Sequence, residues 1–372
     1  MCEGFAFNKA GINTNRNRSL RNVMKILIIS YPTAFQNPAG GIQARIGYIY
    51  NCLKKQVDKV VLFNPWEHKI KDFDAVLIFK LDLSTYKLID YCNSLGVPVI
   101  VSPVLTRERP LKTYLNLLAA QLFKLHTGYY FLKQSLNMAS RIICQSEEES
   151  NFITRVYKIN KNQLVVIPNG ADGRFLSGDS KLLKDMYGIK ADYVLSVGRF
   201  DKNKNQLSII KAIHGTGIPA FFIGGPAPED VSYYNRCVEI ARNIPNIFFL
   251  GWVEHDSPIL SSAYAGAKVF VLASFYETFG SVLVEAGVAG CNIVSSHTKH
   301  IISPEISSNI FSISPKSVRD IKKKIIMAYS TPRNPVLAEY FIRNYSWEKI
   351  TRRYLDVIEE ATNEGRTGKN TG

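Results

Sequence analysis

The sequence predicts an α/β protein whose parallel sheets are covered by helices on both faces. Short apolar runs, each of a length suited to a buried strand, alternate along the chain with segments of helical periodicity. At 372 residues the chain is long enough for two hydrophobic cores, so we expect two such units. The predicted strands are residues 24–30, 60–63, 75–79, 99–102, 141–144, 165–167, 193–197, 220–223, 247–250, 269–273 and 292–295.

Composition and local sequence set the predicted boundaries. Hydrophobic residues make up 46% of the chain and charged residues 21%, as in ordinary globular domains. The first 23 residues are polar and basic without an apolar segment, so we expect disorder there and no secretory signal. The predicted units are a disordered extension at 1–23, a first α/β domain at 24–178, a second at 179–344, a final helix at 345–363 and a flexible tail at 364–372.

Two carboxylates eight residues apart, Glu277 and Glu285, mark the most informative segment. Residues 269–273 are predicted to form a strand and residues 280–289 a helix, so Glu277 lies in the turn between them. The free N–H groups at the start of such a helix favour a phosphate or diphosphate. The N–H groups concerned belong to Thr278, Phe279 and Gly280.

A second loop carries two cations. Arg199 and Lys204 follow the predicted strand at 193–197, and a helix is predicted from Leu207 onward. Open α/β sheets bind ligands at the carboxyl ends of their strands. Two cations at such a place can neutralise a diphosphate and stabilise it as a leaving group.

A pair of glycines, Gly40 and Gly41, follows the first predicted strand and precedes a helix predicted at 42–55. Glycine allows the backbone to approach a ligand closely, and the helix start adds N–H groups. The position directly after the first strand therefore predicts a third part of the same binding site.

Together these motifs resemble the Glu-x7-Glu signature and the Gly-Arg-x-x-x-x-Lys loop of retaining GT-B glycosyltransferases, specifically family 4. The resemblance implies two Rossmann-like domains that face a cleft, with a C-terminal helix that crosses back to the first domain. It implies that Arg199 and Lys204 hold the donor diphosphate. It further implies that Glu277 contacts the donor sugar and Glu285 the ribose, while Gly40 and Gly41 face the donor phosphate across the cleft.

The resemblance also implies an activity. We expect a hexosyltransferase that retains anomeric configuration, needs no metal or other cofactor, and uses a nucleoside diphosphate sugar as donor. The acceptor would be a glycan or lipid-linked saccharide in surface polysaccharide synthesis at the cytoplasmic face of the membrane. The nucleotide base would lie between two loops, at Gly224 and Gly225 and at Trp252 and Val253.

The chain departs from the family after its fourth predicted strand. Many members have a histidine there, near the reacting sugar carbon, whereas this chain has Val101-Ser-Pro-Val-Leu-Thr106. Ser102 or Thr106 would have to substitute for it. A sugar-nucleotide epimerase, a sugar phosphorylase and a non-catalytic nucleotide-binding scaffold stay open as alternatives to the transferase. The sequence leaves the sugar, the base and the acceptor undetermined.

The net charge of +15 suggests an acidic partner. Arg107, Arg109 and Lys112 flank an apolar helical face formed by residues 111, 114, 115, 118, 122 and 125. This face would either bury against the core or lie on an anionic membrane surface, where basic residues add affinity. We expect no nucleic-acid partner, and no apolar run is long enough to span a membrane.

Overall fold

The computed structural model describes residues 22–31, 41–105, 110–123, 126–299, 301 and 303–369. Within these residues, twelve strands form two sheets of six. The strands are β1 (Asn22–Ser30), β2 (Val57–Leu62), β3 (Ala75–Phe79), β4 (Val99–Ser102), β5 (Arg141–Cys144), β6 (Leu164–Val166), β7 (Val194–Val197), β8 (Ala220–Ile223), β9 (Ile247–Gly251), β10 (Val269–Leu272), β11 (Asn292–Ser295) and β12 (Ile310–Ser312).

Helices connect the strands in both halves. They are α1 (Gly41–Leu53), α2 (Leu83–Ser94), α3 (Pro110–Leu122), α4 (Gly128–Met138), α5 (Glu147–Phe152), α6 (Arg174–Ser177), α7 (Leu182–Met186), α8 (Gln206–Ile213), α9 (Val231–Ala241), α10 (Pro258–Gly266), α11 (Ser281–Val288), α12 (Val318–Ser330), α13 (Pro335–Tyr345) and α14 (Trp347–Lys369).

Both sheets are parallel throughout, with orders β2-β1-β3-β4-β5-β6 and β12-β11-β10-β7-β8-β9. In such sheets the crossover connections reverse direction at one point and leave a crevice at the carboxyl ends of the two strands there. The reversal lies between β1 and β3 in the first sheet and between β7 and β10 in the second. These two crevices are where the topology favours ligands.

Each sheet is buried on both faces. In β1, for example, Ile26 and Ile28 pack in one cluster while Leu27 and Ile29 pack in another. A strand that is buried on both sides must be apolar at successive positions, which explains why the strands were recognisable as continuous apolar runs. The predicted α/β class with two parallel sheets is confirmed.

The last helix, α14, belongs to the second half in sequence but packs on the first. Trp347, Ile350, Tyr354 and Ile358 lie in the same core as β1 and α1. This confirms the predicted crossover. The segment between β6 and α6, which joins the two halves, contacts the residues just before α14: Ala171 N–H donates to the Tyr345 carbonyl at 2.8 Å.

The sequence interpretation missed β12, a strand of three residues that follows a short 3-10 turn, because Ile310 and Phe311 are its only apolar residues. The equally short β6 was predicted because it lies in the continuous apolar run at 164–167. Phe175, near the end of the first predicted domain, already packs in the core of the second sheet. Among the described residues, five cysteines are free and buried, and no helix is long and apolar enough to cross a membrane.

Candidate active site

A cleft of about 660 Å³ lies between the two sheets and collects most of the residues singled out from the sequence. Its walls come from loops at the carboxyl ends of strands in both sheets. The predicted residues that line it are Gly41, Arg199, Lys204, Gly224, Trp252, Val253, Glu277, Thr278, Phe279, Gly280 and Glu285.

The two central motifs meet because of strand order. Arg199 follows β7 and Glu277 follows β10, and these neighbouring strands flank the reversal point of the second sheet. Asn203 joins the two loops: its side-chain amide donates to the Tyr276 carbonyl at 2.9 Å and its side-chain oxygen accepts the Tyr276 N–H at 2.9 Å. Sequence reasoning missed Asn203, whose role depends on a loop 73 residues away.

Lys204 and Glu277 form an ion pair on the cleft wall, with Nζ 2.6 Å from Oε1. Burial alone would raise the pKa of Glu277. The Lys204 ammonium, helped by the nearby Ser274 and His297, outweighs burial and holds that pKa below its usual range. Glu277 is therefore an ionised carboxylate in a fixed position, able to accept hydrogen bonds from a sugar hydroxyl.

Arg199 is held from its own loop. Its guanidinium lies 3.3 Å from a carboxylate oxygen of Asp201, while the other oxygen of Asp201 accepts the Lys204 N–H at 2.8 Å. Asp201 is buried, so it fixes the loop that presents both cations. Half of the Arg199 side chain stays exposed in the cleft, where it can meet an anion.

Glu285 lies in α11 and is also oriented by neighbours. Tyr264 donates its hydroxyl to Oε2 at 2.7 Å, and His255 Nε2 lies 3.3 Å from Oε1. Burial, and next the Glu285 charge, raise the pKa of Tyr264 well above its ordinary value, so the phenol stays a donor. The carboxylate thus keeps acceptor capacity for a diol facing the cleft.

His255 connects this carboxylate to the linker between the halves. Arg174 Nη2 lies 2.7 Å from His255 Nδ1, and because arginine only donates, Nδ1 accepts and Nε2 carries the proton toward Glu285. Tyr48 of α1 meets the His255 ring edge-on and stacks on Trp347 at 4.9 Å between ring centroids. Sequence reasoning missed His255, Tyr264 and Arg174, since no local pattern marks them.

The two glycines of the first predicted base-binding loop, Gly224 and Gly225, lie in different surroundings. Gly224 has φ +134 and lies so close to the Gly198 carbonyl that a Cβ would collide with it, so only glycine fits. Gly225 lies beneath the Trp252 indole, where a Cβ would collide with the ring, and it does not line the cleft. The indole itself is half exposed and forms part of the cleft wall.

Other predicted residues lie elsewhere. Gly40, Arg107, Arg109 and Thr106 are outside the described residues, and Lys112 is exposed on α3, away from the cleft. Ser102 is buried and donates to the Ile143 carbonyl at 3.3 Å, so it is not a cleft residue. Of the segment after β4, Val104 lines the cleft.

The halves also meet by a polar contact at the cleft. Asn169, just after β6, donates to the Ser281 hydroxyl at 2.6 Å and to the Gln145 side chain at 2.9 Å. Ser281 begins α11, so this contact ties the helix start beside Glu277 to the first half. In the part of the chain that the structure describes, no group of three or more His, Cys, Asp or Glu side chains could hold a metal ion.

Comparison with known proteins finds a family that matches part of the chain. Residues 184–348 match the family described as Glycosyl transferases group 1. A D-inositol 3-phosphate glycosyltransferase of Catenulispora acidiphila is 23% identical over 176 residues, which cover 44% of this chain and 41% of that protein. A probable sucrose-phosphate synthase of Thermosipho melanesiensis is 23% identical over 242 residues, 61% of this chain and 56% of that one. The chain therefore spans about half the length of these relatives.

Solved structures resemble the chain over most of its length. Sucrose-phosphate synthase from Thermosynechococcus elongatus has a TM-score of 0.73 at 16% identity, covering 90% of this chain and 98% of that one. HepE of Anabaena in complex with UDP has a TM-score of 0.65 at 16% identity, covering 91% and 100%. These likenesses show the GT-B architecture, and residues 184–348 within it are the part that matches the family Glycosyl transferases group 1.

Proposed function

We propose that the protein is a retaining glycosyltransferase that moves a sugar from a nucleoside diphosphate sugar to a saccharide acceptor. The observation that carries the proposal is the convergence of Arg199, Lys204, Glu277 and Glu285 on one cleft at the reversal point of the second sheet. Cations and fixed carboxylates at this place match a diphosphate and the hydroxyls on either side of it.

In the proposed mechanism, Arg199 and Lys204 stabilise the diphosphate as negative charge develops on it. The backbone at Thr278 to Gly280, directly before α11, lies on the same wall and adds the field of a helix start. Glu285 binds the ribose and Glu277 a hydroxyl of the donor sugar. These charges are already in place, so little reorganisation is needed during the reaction.

The transfer step breaks the bond between the anomeric carbon and the phosphate oxygen and forms a bond to the acceptor oxygen on the same face of the sugar. The acceptor hydroxyl gives its proton to the departing phosphate oxygen, so no enzymic nucleophile is required. Glu277 fits the binding role because Lys204 holds it ionised and engaged.

The test is release of nucleoside diphosphate from UDP-glucose, GDP-mannose and ADP-glucose, with calorimetry of UDP, GDP and ADP binding. We expect one nucleotide to bind and its sugar to be hydrolysed above background. Lys202→Ala is the matched control for Lys204→Ala. Lys202 lies in the same loop as Lys204 but is 76% exposed and pairs with Asp230 outside the cleft. Binding without turnover would favour a scaffold, and a rearranged sugar nucleotide would favour an epimerase.

We further propose that the acceptor is presented at a membrane surface. The predicted apolar face of α3 points outward: Leu111 is 70% exposed and Leu122 68%, with Tyr114, Leu115 and Leu118 also exposed. The helix begins six residues after Val104 of the cleft wall. An exposed apolar helix face on a chain of charge +15 complements an anionic lipid surface.

Co-sedimentation with phosphatidylglycerol and phosphatidylcholine vesicles tests this surface. We expect binding to the anionic vesicles that weakens with salt and is lost when Leu115, Leu118 and Leu122 become serine. A matched control replaces three exposed apolar residues of the second half, Val231, Ile326 and Met327, with serine. Binding that the control variant loses equally, or self-association through α3 in light scattering, would contradict a lipid surface as the partner.

A further inference from the structure

Two non-glycine residues at the cleft have left-handed backbone conformations. Lys80, directly after β3, has φ +62, and Val104, two residues after β4, has φ +55. Such conformations are unfavourable for residues with a Cβ, particularly β-branched ones, and tend to persist at ligand sites. Both residues line the cleft, and a hydrogen bond of 2.8 Å from Lys80 N–H to the Ser102 carbonyl fixes the first of them.

The Lys80 side chain lies at the reversal point of the first sheet. Its ammonium is 4.1 Å from the centroid of the Tyr31 ring, and Tyr31 follows β1 while Lys80 follows β3. Tyr31 in turn accepts a hydrogen bond of 3.1 Å from the Gln43 side chain in the first turn of α1. All three residues line the cleft, at the place where open sheets bind ligands.

A second cation lies beneath this wall. Arg45 is 98% buried, and its guanidinium is 5.6 Å from the ring of Phe79, the residue before Lys80. One of its nitrogens donates to the Tyr354 hydroxyl, whereas Nε and Nη1 have no hydrogen-bond partner among the described residues. Buried guanidinium groups without partners are costly, so a ligand that supplies acceptors would stabilise this arrangement.

The charges around this wall leave it electropositive. No carboxylate in the described part of the chain lies within ion-pair distance of Lys80 or Arg45. Glu149 is the nearby acid, but it is buried and accepts the N–H groups of Leu105 and Gln145 at 2.6 and 2.7 Å. Burial raises the pKa of Glu149 to about 7 against the lowering effect of the Arg45 charge, so Glu149 is only partly ionised at neutral pH and compensates Arg45 only in part.

We propose that the wall formed by Tyr31, Lys80 and Arg45 binds a phosphate group of the acceptor, in a subsite opposite the donor diphosphate. The proposal rests on the glycosyltransferase function proposed above, which places the donor on the other wall. Lys80 supplies the exposed charge and Arg45 strengthens the field beneath it. The phosphate belongs either to a soluble sugar phosphate or to the headgroup of a lipid-linked saccharide.

Calorimetry with simple probes tests the subsite. The titrants are glucose 6-phosphate, glucose and inorganic phosphate, with phosphatidylglycerol and phosphatidylcholine vesicles as the lipid arm. Lys80→Met removes the charge, and Lys80→Gly removes it while relieving the left-handed backbone, which protects against misfolding. Lys59→Met is the matched control, since Lys59 also lies over an aromatic ring, Phe73, but outside the cleft.

We expect the phosphate probes to bind and glucose not to bind, and either Lys80 variant to weaken phosphate binding by about 10- to 100-fold, the loss of one charge-assisted hydrogen bond. Dependence on Lys80 with the soluble phosphates assigns a soluble acceptor. Dependence on Lys80 with phosphatidylglycerol vesicles alone assigns a lipid headgroup. Phosphate binding that neither Lys80 variant weakens, or no phosphate binding at all, would overturn the subsite.

Nucleoside diphosphate binding is measured in the same proteins and separates the two proposals. Normal nucleotide binding without a phosphate subsite contradicts only this inference. Failure of the wild-type protein to bind any nucleoside diphosphate contradicts the proposed function itself.

Discussion

The two walls of the cleft hold their charges in opposite ways. On the wall of the second sheet, Lys204 pairs with Glu277 and Arg199 with Asp201. On the wall of the first sheet, Lys80 lies over a tyrosine ring and Arg45 is buried between two aromatic rings, with no ion pair among the described residues. The first arrangement is complete before a ligand arrives, and the second leaves positive charge for a ligand to neutralise.

This difference bears on what each wall can do. Charges that are already paired and fixed need little reorganisation when a ligand arrives, so they can orient the ligand and stabilise charge that develops on it later. Cations without carboxylate partners contribute more binding free energy when an anion binds them, so this wall is suited to recognising an anionic group. We therefore expect substitutions on the second wall to affect turnover most, and substitutions on the first to affect acceptor binding.

The largest expected effect is on the second wall. Lys204→Ala should lower donor turnover by about 100- to 1,000-fold, because it removes a charge that the proposed mechanism places at the leaving diphosphate. The measurement is initial rate of nucleoside diphosphate release, with Lys202→Ala expected to keep the wild-type rate. If Lys204→Ala and Lys202→Ala give the same rate, Lys204 does not contact the leaving group.

The pH dependence of the free energy of unfolding tests the protonation state of Glu149, the acid beneath the first wall. The folded pKa of Glu149 is raised to about 7, so the folded state holds this proton more tightly than the unfolded state. This proton stabilises the folded state fully at pH values below the pKa of Glu149 in the unfolded state. The stabilisation is lost as pH rises through about 7, and the free energy of unfolding falls by about 1.4 kcal/mol per pH unit between the two pKa values.

We therefore expect the difference in unfolding free energy between wild type and Glu149→Gln to fall between pH 5 and pH 8. Urea denaturation at both pH values measures it, with Glu147→Gln as a control on the same helix. A difference that does not change with pH would mean that Glu149 is ionised throughout, so that the first wall has an anionic partner after all.

The two carboxylates of the second wall should differ from each other. Glu285→Gln should raise the donor KM by about 10-fold or more, because the proposed bond to ribose would be equal in ground and transition states. Glu277→Gln should chiefly lower kcat, by about 10- to 100-fold, since the proposed mechanism places Glu277 beside the reacting sugar and the substitution leaves Lys204 unpaired. Steady-state kinetics with varied donor separates them, and exchanged phenotypes would reverse the assigned roles.

The smallest effect concerns a residue that acts through another. His255→Ala should raise the donor KM several-fold, up to about 10-fold, because Glu285 loses the group that orients one of its oxygens. His255→Gln should restore part of the affinity, since an amide can accept from Arg174 and donate to Glu285. Equal kinetics for the two variants would show that the imidazole fills space without positioning the carboxylate.

Local patterns allowed much of the fold to be predicted. The strands were found because burial on both faces makes them continuous apolar runs, as in β3 and β10. The three-residue β12 was missed because it has only two apolar residues, Ile310 and Phe311, with polar residues on both sides. Glu277, Glu285, Arg199 and Lys204 were predicted from loops that join a strand to a helix and from the Glu-x7-Glu and Gly-Arg-x-x-x-x-Lys motifs, and the structure places all four on the cleft.

The partners of these residues could not be found in this way. Tyr264 looks like any core residue of a helix, and its hydrogen bond to Glu285 depends on how α10 packs on α11. Lys80 has no neighbouring motif, and its place at the cleft depends on β3 lying beside β1. The outward orientation of the α3 face was likewise one of two possibilities that the periodicity left open.

The sequence by itself determined the α/β class, the two parallel sheets and the strand ends that offer an anion site, because burial and helix starts act over a few neighbouring residues. Only the tertiary structure decided that Lys204 pairs with Glu277 across 73 residues and that Lys80 and Arg45 lie on one cleft wall. These contacts depend on strand order and on helix packing, which bring residues together that are distant in sequence. Burial of apolar surface drives that packing, and because many sequences can supply such surface, the contacts cannot be read from local patterns.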